Sequence, residues 1–405
     1  MPRSSDGRRP TRNLVNDAPP TVVERLVTVP FTLVTFATLF YFTALGTLLP
    51  TLPRHIEDDL GGGGFEIGLS VGVFSVGAAI LRPWAGRLGD RKGRRILVVG
   101  GSLIVAATVA AYGLADSIPF LVVLRILTGI GEAAVFVGAA TAVQDLAPPH
   151  RRGEAASYFS VALYAGLALG PTIGERLANA HGYRATWFCS AGLAVVAALF
   201  GLSTPVGEVS DRRPETILNR AALRPGLVLF LGLVPFTAFS AFLAIYGDQV
   251  GIHDVGPVFA TYAGAVLLIR LFGARLPDRL GWRIASAVAL GSATLAGLLF
   301  AAWASVVGVY IATVALSVGQ SLLFPALFSA VVNDAPDAQR SHAVGTFSVF
   351  FDLSGGIAAP TLGLVVSLWN ERGAFFVAAL VSASGFLALR SLRANRVVLP
   401  DIASG

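Results

Sequence analysis

Three ionisable residues stand inside otherwise apolar runs: Arg125 and Glu132 in LRILTGIGEAA, and Asp352 in FSVFFDLSGG. A charge held in hydrocarbon costs about 2.5–3.5 kcal/mol on insertion scales, so it normally faces a cavity and marks an ion or substrate path. Glu132 follows Arg125 by seven residues, two helical turns along one face, which lets the arginine act on the carboxyl. A carboxyl at that depth suits a group that loads and releases a proton. The alternative, for Glu132 and for Asp352, is a hydrogen-bonded strut that only fixes packing. Tyr41, Phe236 and Phe239 are candidates to line a central cavity, at a spacing that serves packing equally well. Other chemistry has no support. No run holds a nucleophile–base pair or a histidine/carboxylate ligand cluster, and no G-x4-G-K-[ST] loop is present. No enzyme activity, metal or cofactor is therefore expected. Cys189 is the single cysteine, so no intrachain disulfide is available. The five histidines fall in expected loops or at helix ends, which argues against a buried histidine relay.

The elements that must position these residues follow from composition. The chain has 405 residues, 54% hydrophobic and 13% charged. Spanning a bilayer takes roughly 20 apolar residues per helix, with every backbone group bonded inside it. That length predicts twelve spans, at 27–50, 65–86, 96–115, 119–143, 155–177, 186–203, 225–247, 257–274, 284–304, 306–332, 343–369 and 373–392. The first run is retained rather than cleaved as a signal peptide, because it lacks a small-residue cleavage site and eleven more spans follow. Residues 1–26 read as a disordered polar leader, 205–224 as a polar linker and 394–405 as a tail, around helical domains at 27–204 and 225–393.

The formal net charge of +6 points to a membrane rather than to nucleic acid once its distribution is followed. Twenty-three basic residues fall on the side of the two termini, and four (Arg54, Arg176, Arg184 and Arg372) on the other. Positive charge marks the cytoplasmic side, so both termini are expected in the cytoplasm of a cell carrying this protein in its inner membrane. The densest basic cluster, Arg82, Arg87, Arg91, Lys92, Arg94 and Arg95 around Asp90, then opens with Arg82 near the end of span 2 and continues through a cytoplasmic loop between spans 2 and 3.

That cluster returns. Residues 82–95 and 270–283 share seven identities in fourteen at an offset of 188, among them Arg82/Arg270, Asp90/Asp278, Arg91/Arg279 and Gly93/Gly281. The offset also pairs Gly131/Gly319, Phe136/Phe324 and Phe159/Phe347, and with one inserted residue it pairs PTIG at 171–174 with PTLG at 360–363. A parallel repeat of six spans predicts an all-α integral membrane fold of two six-helix bundles, with a binding site between the halves near the midplane. In this register Gln320 stands where Glu132 does, Thr313 where Arg125 does, and Tyr164 where Asp352 does. The charge therefore belongs unequally to the halves.

These residues resemble the major facilitator superfamily over essentially the whole chain. Gly86, Leu88, Asp90, Arg91, Gly93, Arg94 and Arg95 match the family's loop 2–3 signature, G-x-L-a-D-r-x-G-r-k. The resemblance implies a conformational latch made by Gly86, Asp90, Arg91, Gly93, Arg94 and Arg95, with Asp278 and Arg279 as repeat equivalents, holding the bundles together when the site faces outward. Physically, the glycine would admit close helix approach, and a carboxylate at a helix N-terminus gains from the dipole while pairing with arginine. GLALGPTIG resembles the family's span 5 antiporter motif through Gly166, Gly170, Pro171 and Gly174, although Ser157 stands where that motif has an earlier glycine. The same residues would bend span 5 and seat it against a neighbour. The resemblance implies a monomeric proton-coupled efflux antiporter for a drug-like molecule or metabolite, whose partners are substrate, protons and lipid. Uptake of a sugar, organic acid or other nutrient by proton symport is the alternative. The residues expected to carry coupling or binding are Glu132, Asp352, Arg125, Gln320, Tyr164, Tyr41 and Phe239.

Overall fold

The computed structural model describes residues 26–204, 220–273, 279–334 and 340–392. The leader up to residue 25, the linker up to residue 219, Asp278 and the tail lie outside the described residues, as does the Asp90 side chain. Among the described residues the regular structure is helical. The first half comprises α1 (Val29–Asp58), α2 (Gly64–Lys92), α3 (Arg94–Ala111), α4 (Ile118–Asp145), α5 (Arg152–His181) and α6 (Tyr183–Gly201). The second comprises α7 (Arg220–Gln249), α8 (Gly256–Phe272), α9 (Trp282–Ala302), α10 (Val306–Asp334), α11 and α12 (Glu371–Ser391). Helix α11 runs through Arg340–Leu353, a π turn at Ser354–Ala358, and Ala359–Leu368.

Eleven of these spans are long and apolar enough to cross a bilayer, and α8 is a shorter apolar helix. The expected spans and the helices coincide apart from their ends. The largest difference is α1, which continues eight residues past the expected end at residue 50 and takes Pro50, Pro53 and His55 into the helix. The two prolines leave the carbonyls of Gly46 and Leu49 without their helical donors, in a stretch where the Thr47 and Thr51 hydroxyls donate to the carbonyls of Ala44 and Thr47 at 2.7 Å. The loop expected between spans 2 and 3 is almost absent. Helix α2 runs to Lys92, α3 starts at Arg94, and Gly93 turns the chain between them at φ 87°. Its repeat equivalent Gly281 opens α9 at φ 74°. Both sit in a left-handed region that costs any residue with a Cβ. Asp90 thus occupies the last turn of α2, where its own helix offers no N-terminal dipole, contrary to the expected arrangement.

Within each half the helices pack as a bundle: α1 against α5 and α6, α2 and α3 against α4, α7 against α12, α9 against α10 and α12. Between the halves, α2 packs on α11, α5 on α8, and α1 on α7. The apolar core shows how the bundles lean. The face carrying the chain ends of the described body, Leu26 and Leu392, is here called the terminal face, and the opposite one the far face. Toward the far face a single core cluster takes in both halves, joining Leu48, Leu52 and Ile56 to Phe242, Tyr246 and Phe259. Toward the terminal face each half has its own clusters, around Phe31, Val34 and Val143 and around Ala85 and Leu97 in the first, and around Val228, Leu323 and Val331 in the second. The bundles are closed on each other at the far face and parted at the terminal face.

Candidate functional site

The α2–α11 seam is built from small residues in antiparallel register. A Cβ on Gly64 would meet Val366 and the Gly363 carbonyl, one on Gly68 would lie 2.2 Å from the Ala359 carbonyl, and one on Gly72 would meet Pro360. Farther along, Ser75 and Val76 face Gly355 and Gly356 of the π turn. The next contact toward the terminal face is ionic: Arg82 Nε lies 2.7 Å from Asp352 Oδ2, and Arg82 Nη2 lies 3.4 Å from Glu132 Oε2. Arg82 thus joins an acid of its own bundle to an acid of the other. Asp352 is 5% exposed and Glu132 7%. The Arg82 guanidinium also stands 4.9 Å over the Phe136 ring. The pair with Asp352 is a charge contact, since the N–H is not aligned on the oxygen.

Arg82, near the end of expected span 2, is a site residue absent from the expected set. It lies one turn inside the first of the exposed members of the basic cluster, Arg87, and on a different face of a helix that continues through the supposed loop. The available signal was its place inside expected span 2 (65–86) and the register that pairs it with Arg270, inside expected span 8 (257–274).

The other expected residues divide. Arg125 does not pair with Glu132. Its Nε donates to the Ser70 carbonyl at 3.1 Å, an Nη meets the Tyr112 hydroxyl at 3.5 Å, and its guanidinium covers Phe74 at 4.5 Å. Arg125 and Glu132 nevertheless line one cavity of about 190 Å3, whose wall is otherwise largely apolar (Leu45, Leu49, Phe74, Leu167) and includes Ser240 from the second half. Tyr41 is fully buried, its hydroxyl without a partner among the described residues, within electrostatic range of Glu132 and Arg82. Gln320 donates to the Gly232 carbonyl of α7 at 3.4 Å and takes no part in the ionic cluster. Phe239 is fully buried among Phe259, Tyr262 and Phe300, so it is core rather than cavity lining. Tyr164 lies across the α5–α8 seam, its ring 4.9 Å under the Arg270 guanidinium.

The span 5 motif serves packing within the first bundle. A Cβ on Gly166 would lie 2.7 Å from Thr43 N, one on Gly170 2.5 Å from Gly46 Cα, and one on Gly174 2.4 Å from the Thr47 carbonyl, so α5 rides on the α1 backbone. Of the expected latch, Asp278 and the Asp90 side chain lie outside the described residues. Space around Gly86 is open to 4 Å, so the close approach expected of it is not made in this conformation. Arg94 pairs with Asp145 at 3.2 Å, Arg95 donates to the Thr204 carbonyl at 2.9 Å, both within the first half, and Arg91 and Arg279 are exposed.

An ionic contact also joins the halves at the far face: Arg54 of α1 pairs with Glu175 of α5 and reaches Asp248 of α7 through two contacts of 3.1 Å. Glu175 is 1% exposed and also accepts from Gly256 N, at the start of α8, at 2.8 Å. His55, expected outside the helices, lies buried in the last turn of α1 with Nδ1 2.7 Å from Asp59, between the Tyr183 and Trp187 rings.

Known proteins share this architecture. A model of the major facilitator superfamily matches residues 34–359 and 255–401. The chain is 31% identical over 407 residues to an MFS-type transporter of Pseudomonas aeruginosa, covering 96% of this chain and 98% of that one. It is 27% identical over 380 residues to the MFS-type transporter YhhS of Escherichia coli, covering 90% and 92%. Among solved structures, the nucleoside transporter NupG superposes with a TM-score of 0.74 at 13% identity, covering 90% of this chain and all of that one (100%). A bacterial homologue of the lysosomal transporter Spinster, inward-facing and unoccupied, gives 0.70 at 17%, covering 89% and 96%. At those identities the two structures speak to the fold alone. The family match spans both halves and their seams, and a relative above 30% identity is aligned nearly end to end: the chain belongs to the major facilitator superfamily, and is a multi-pass membrane transporter rather than an enzyme.

Proposed function

We propose that this transporter is a secondary active carrier working by alternating access, which exports a small molecule across the inner membrane in exchange for protons. The observation that carries the reading is the convergence of two buried carboxyls from opposite bundles on Arg82, at the line where the bundles part. While both acids are charged, Arg82 ties α2 to α11. A proton on Asp352 removes the attraction across the seam, and a proton on Glu132 leaves Arg82 to Asp352 alone, so proton loading biases the angle between the bundles. The excess of basic residues at the terminal face supports a cytoplasmic position for it, and on this reading the described conformation is the inward-facing one. A membrane potential of roughly 150 mV supplies about 3.5 kcal/mol per charge moved, enough for a few-hundred-fold gradient. Both bundles belong to one chain, so a monomer suffices.

The test is counterflow in proteoliposomes with an imposed pH gradient and a compound panel, with proton movement followed by an internal pH-sensitive dye. Asp352→Asn and Glu132→Gln are each expected to keep substrate exchange and to lose substrate-driven proton flux. Normal proton flux in the double variant would refute coupling through either acid. Substrate moving in the same direction as protons would make the protein a nutrient symporter instead.

A further inference from the structure

The repeat places two arginines at equivalent points of the two seams, and their surroundings differ. Arg82 has two carboxylates, Glu132 and Asp352, within 3.4 and 2.7 Å. At the positions related to those acids by the repeat, Arg270 finds Gln320 and Tyr164. Gln320 is turned to the α7 backbone. Among the described residues Arg270 has neither a carboxylate nor a hydrogen-bond partner: its Nε is buried and unsatisfied, its guanidinium stands 4.9 Å over the Tyr164 ring, and the Tyr262 phenol lies within electrostatic range. A cation–π contact offsets part of the cost of a desolvated guanidinium, and it leaves the fork of N–H donors unused.

We propose that Arg270 is the specificity-determining residue of this transporter and receives the anionic group of its substrate, a small organic carboxylate or phosphonate. The planar fork of a guanidinium matches either group in a bidentate way. The Tyr164 ring beside it is only part-buried, and gives the apolar body of such a molecule a surface to lie on. The anion then stands for Arg270 where Asp352 stands for Arg82, and the two seams become electrostatically alike only when substrate is bound. This deepens the transport reading of the same site and rests on it, although binding can be read without any proton movement.

The same chemistry is offered by the phosphate of an anionic lipid, so the experiment has arms for both. The purified protein is held in a neutral detergent without a pH gradient, and its thermal unfolding is followed with benzoate or benzylphosphonate, with benzyl alcohol and benzylamine as neutral and cationic counterparts, and separately with phosphatidylglycerol. The expected result is stabilisation by the two soluble anions and not by their counterparts. Arg270→Gln should weaken anion binding by about thirtyfold or more, the lower end for truncating one partner of a buried charge pair, while Arg270→Lys keeps the preference for anions. Arg87→Gln, which removes an exposed cation outside both seams, should leave it in place. No stabilisation of the wild-type protein by either soluble anion, an anion effect unchanged in Arg270→Gln, or a response to phosphatidylglycerol alone would each overturn the proposal. None of these outcomes touches proton coupling, which fails or stands on the flux of the Asp352 and Glu132 variants.

Discussion

At the scale of single residues the structure turns on Arg82. Breaking a buried ion pair from one side leaves an uncompensated charge and costs about 3–5 kcal/mol, whereas removing every member costs far less. Arg82→Gln is therefore expected to lower the thermal unfolding temperature in detergent, and adding Asp352→Asn and Glu132→Gln to recover most of the loss. A triple variant as unstable as Arg82→Gln would show that the arginine acts through its packing on Phe136 and not through its charge. The two acids were legible in the sequence because a carboxyl in an apolar run stands out. Their partner was not, because a cation beside five others reads as one more solvated charge. Arg125 misled for a related reason: two helical turns place it about 10 Å from Glu132 along the axis, and a backbone carbonyl, a hydroxyl and a ring nearer at hand take its guanidinium.

At the scale of elements, α11 and α5 are the same helix written twice with one residue added. The repeat offset passes from 188 at Phe159/Phe347 to 189 at Pro171/Pro360, and the π turn at Ser354–Ala358 lies in that interval. A π turn absorbs a single extra residue within a helix and is common at functional sites; here it begins two residues after Asp352 and sets Gly355 and Gly356 against α2. The insertion was visible in the sequence as a slip in register, and its local form was not. Glycine seams show the same division. Gly170→Ala would press a methyl to within 2.5 Å of Gly46 Cα, and α1 must shift to admit it, at a cost of about 1–3 kcal/mol. Gly86→Ala meets open space in this conformation and should change stability by no more than about 0.5 kcal/mol. Unfolding curves of the two variants side by side check both; equal losses would mean that the α1–α5 contact is not tight.

At the scale of the whole molecule, the far face is held by Arg54, Glu175, Asp248 and the Gly256 amide, while the terminal face is parted. A two-state carrier responds to any change that weakens one closure more than the other. Arg54→Gln removes the cation that binds α1 to α5 and α7, and is expected to move the population toward the state open at the far face. Spin labels introduced on a Cys189→Ser background, one pair at the far-face ends of α1 and α7 and another at the terminal-face ends of α4 and α10, should lengthen at the first pair and shorten at the second. If the Asp90 latch closes the terminal face in the other state, Asp90→Asn should shift both distances the opposite way. Distances unchanged by Arg54→Gln would remove the far-face cluster from the gating account.

The sequence by itself determined the class of the protein: twelve helical spans, their order, the doubling of a six-helix unit, the family, and the two acids near the midplane. Those follow from hydropathy, chain length and self-similarity, which are properties of the covalent string. Only the tertiary structure decided which charges meet. Arg82 with Asp352, Arg54 with Asp248 and Arg270 with Tyr164 each join residues far apart in sequence and on opposite bundles. Such pairs depend on helix rotation and on the angle between two rigid halves, and a repeat pattern constrains neither, because the same helices pack the same way within a half whichever face of the molecule is open.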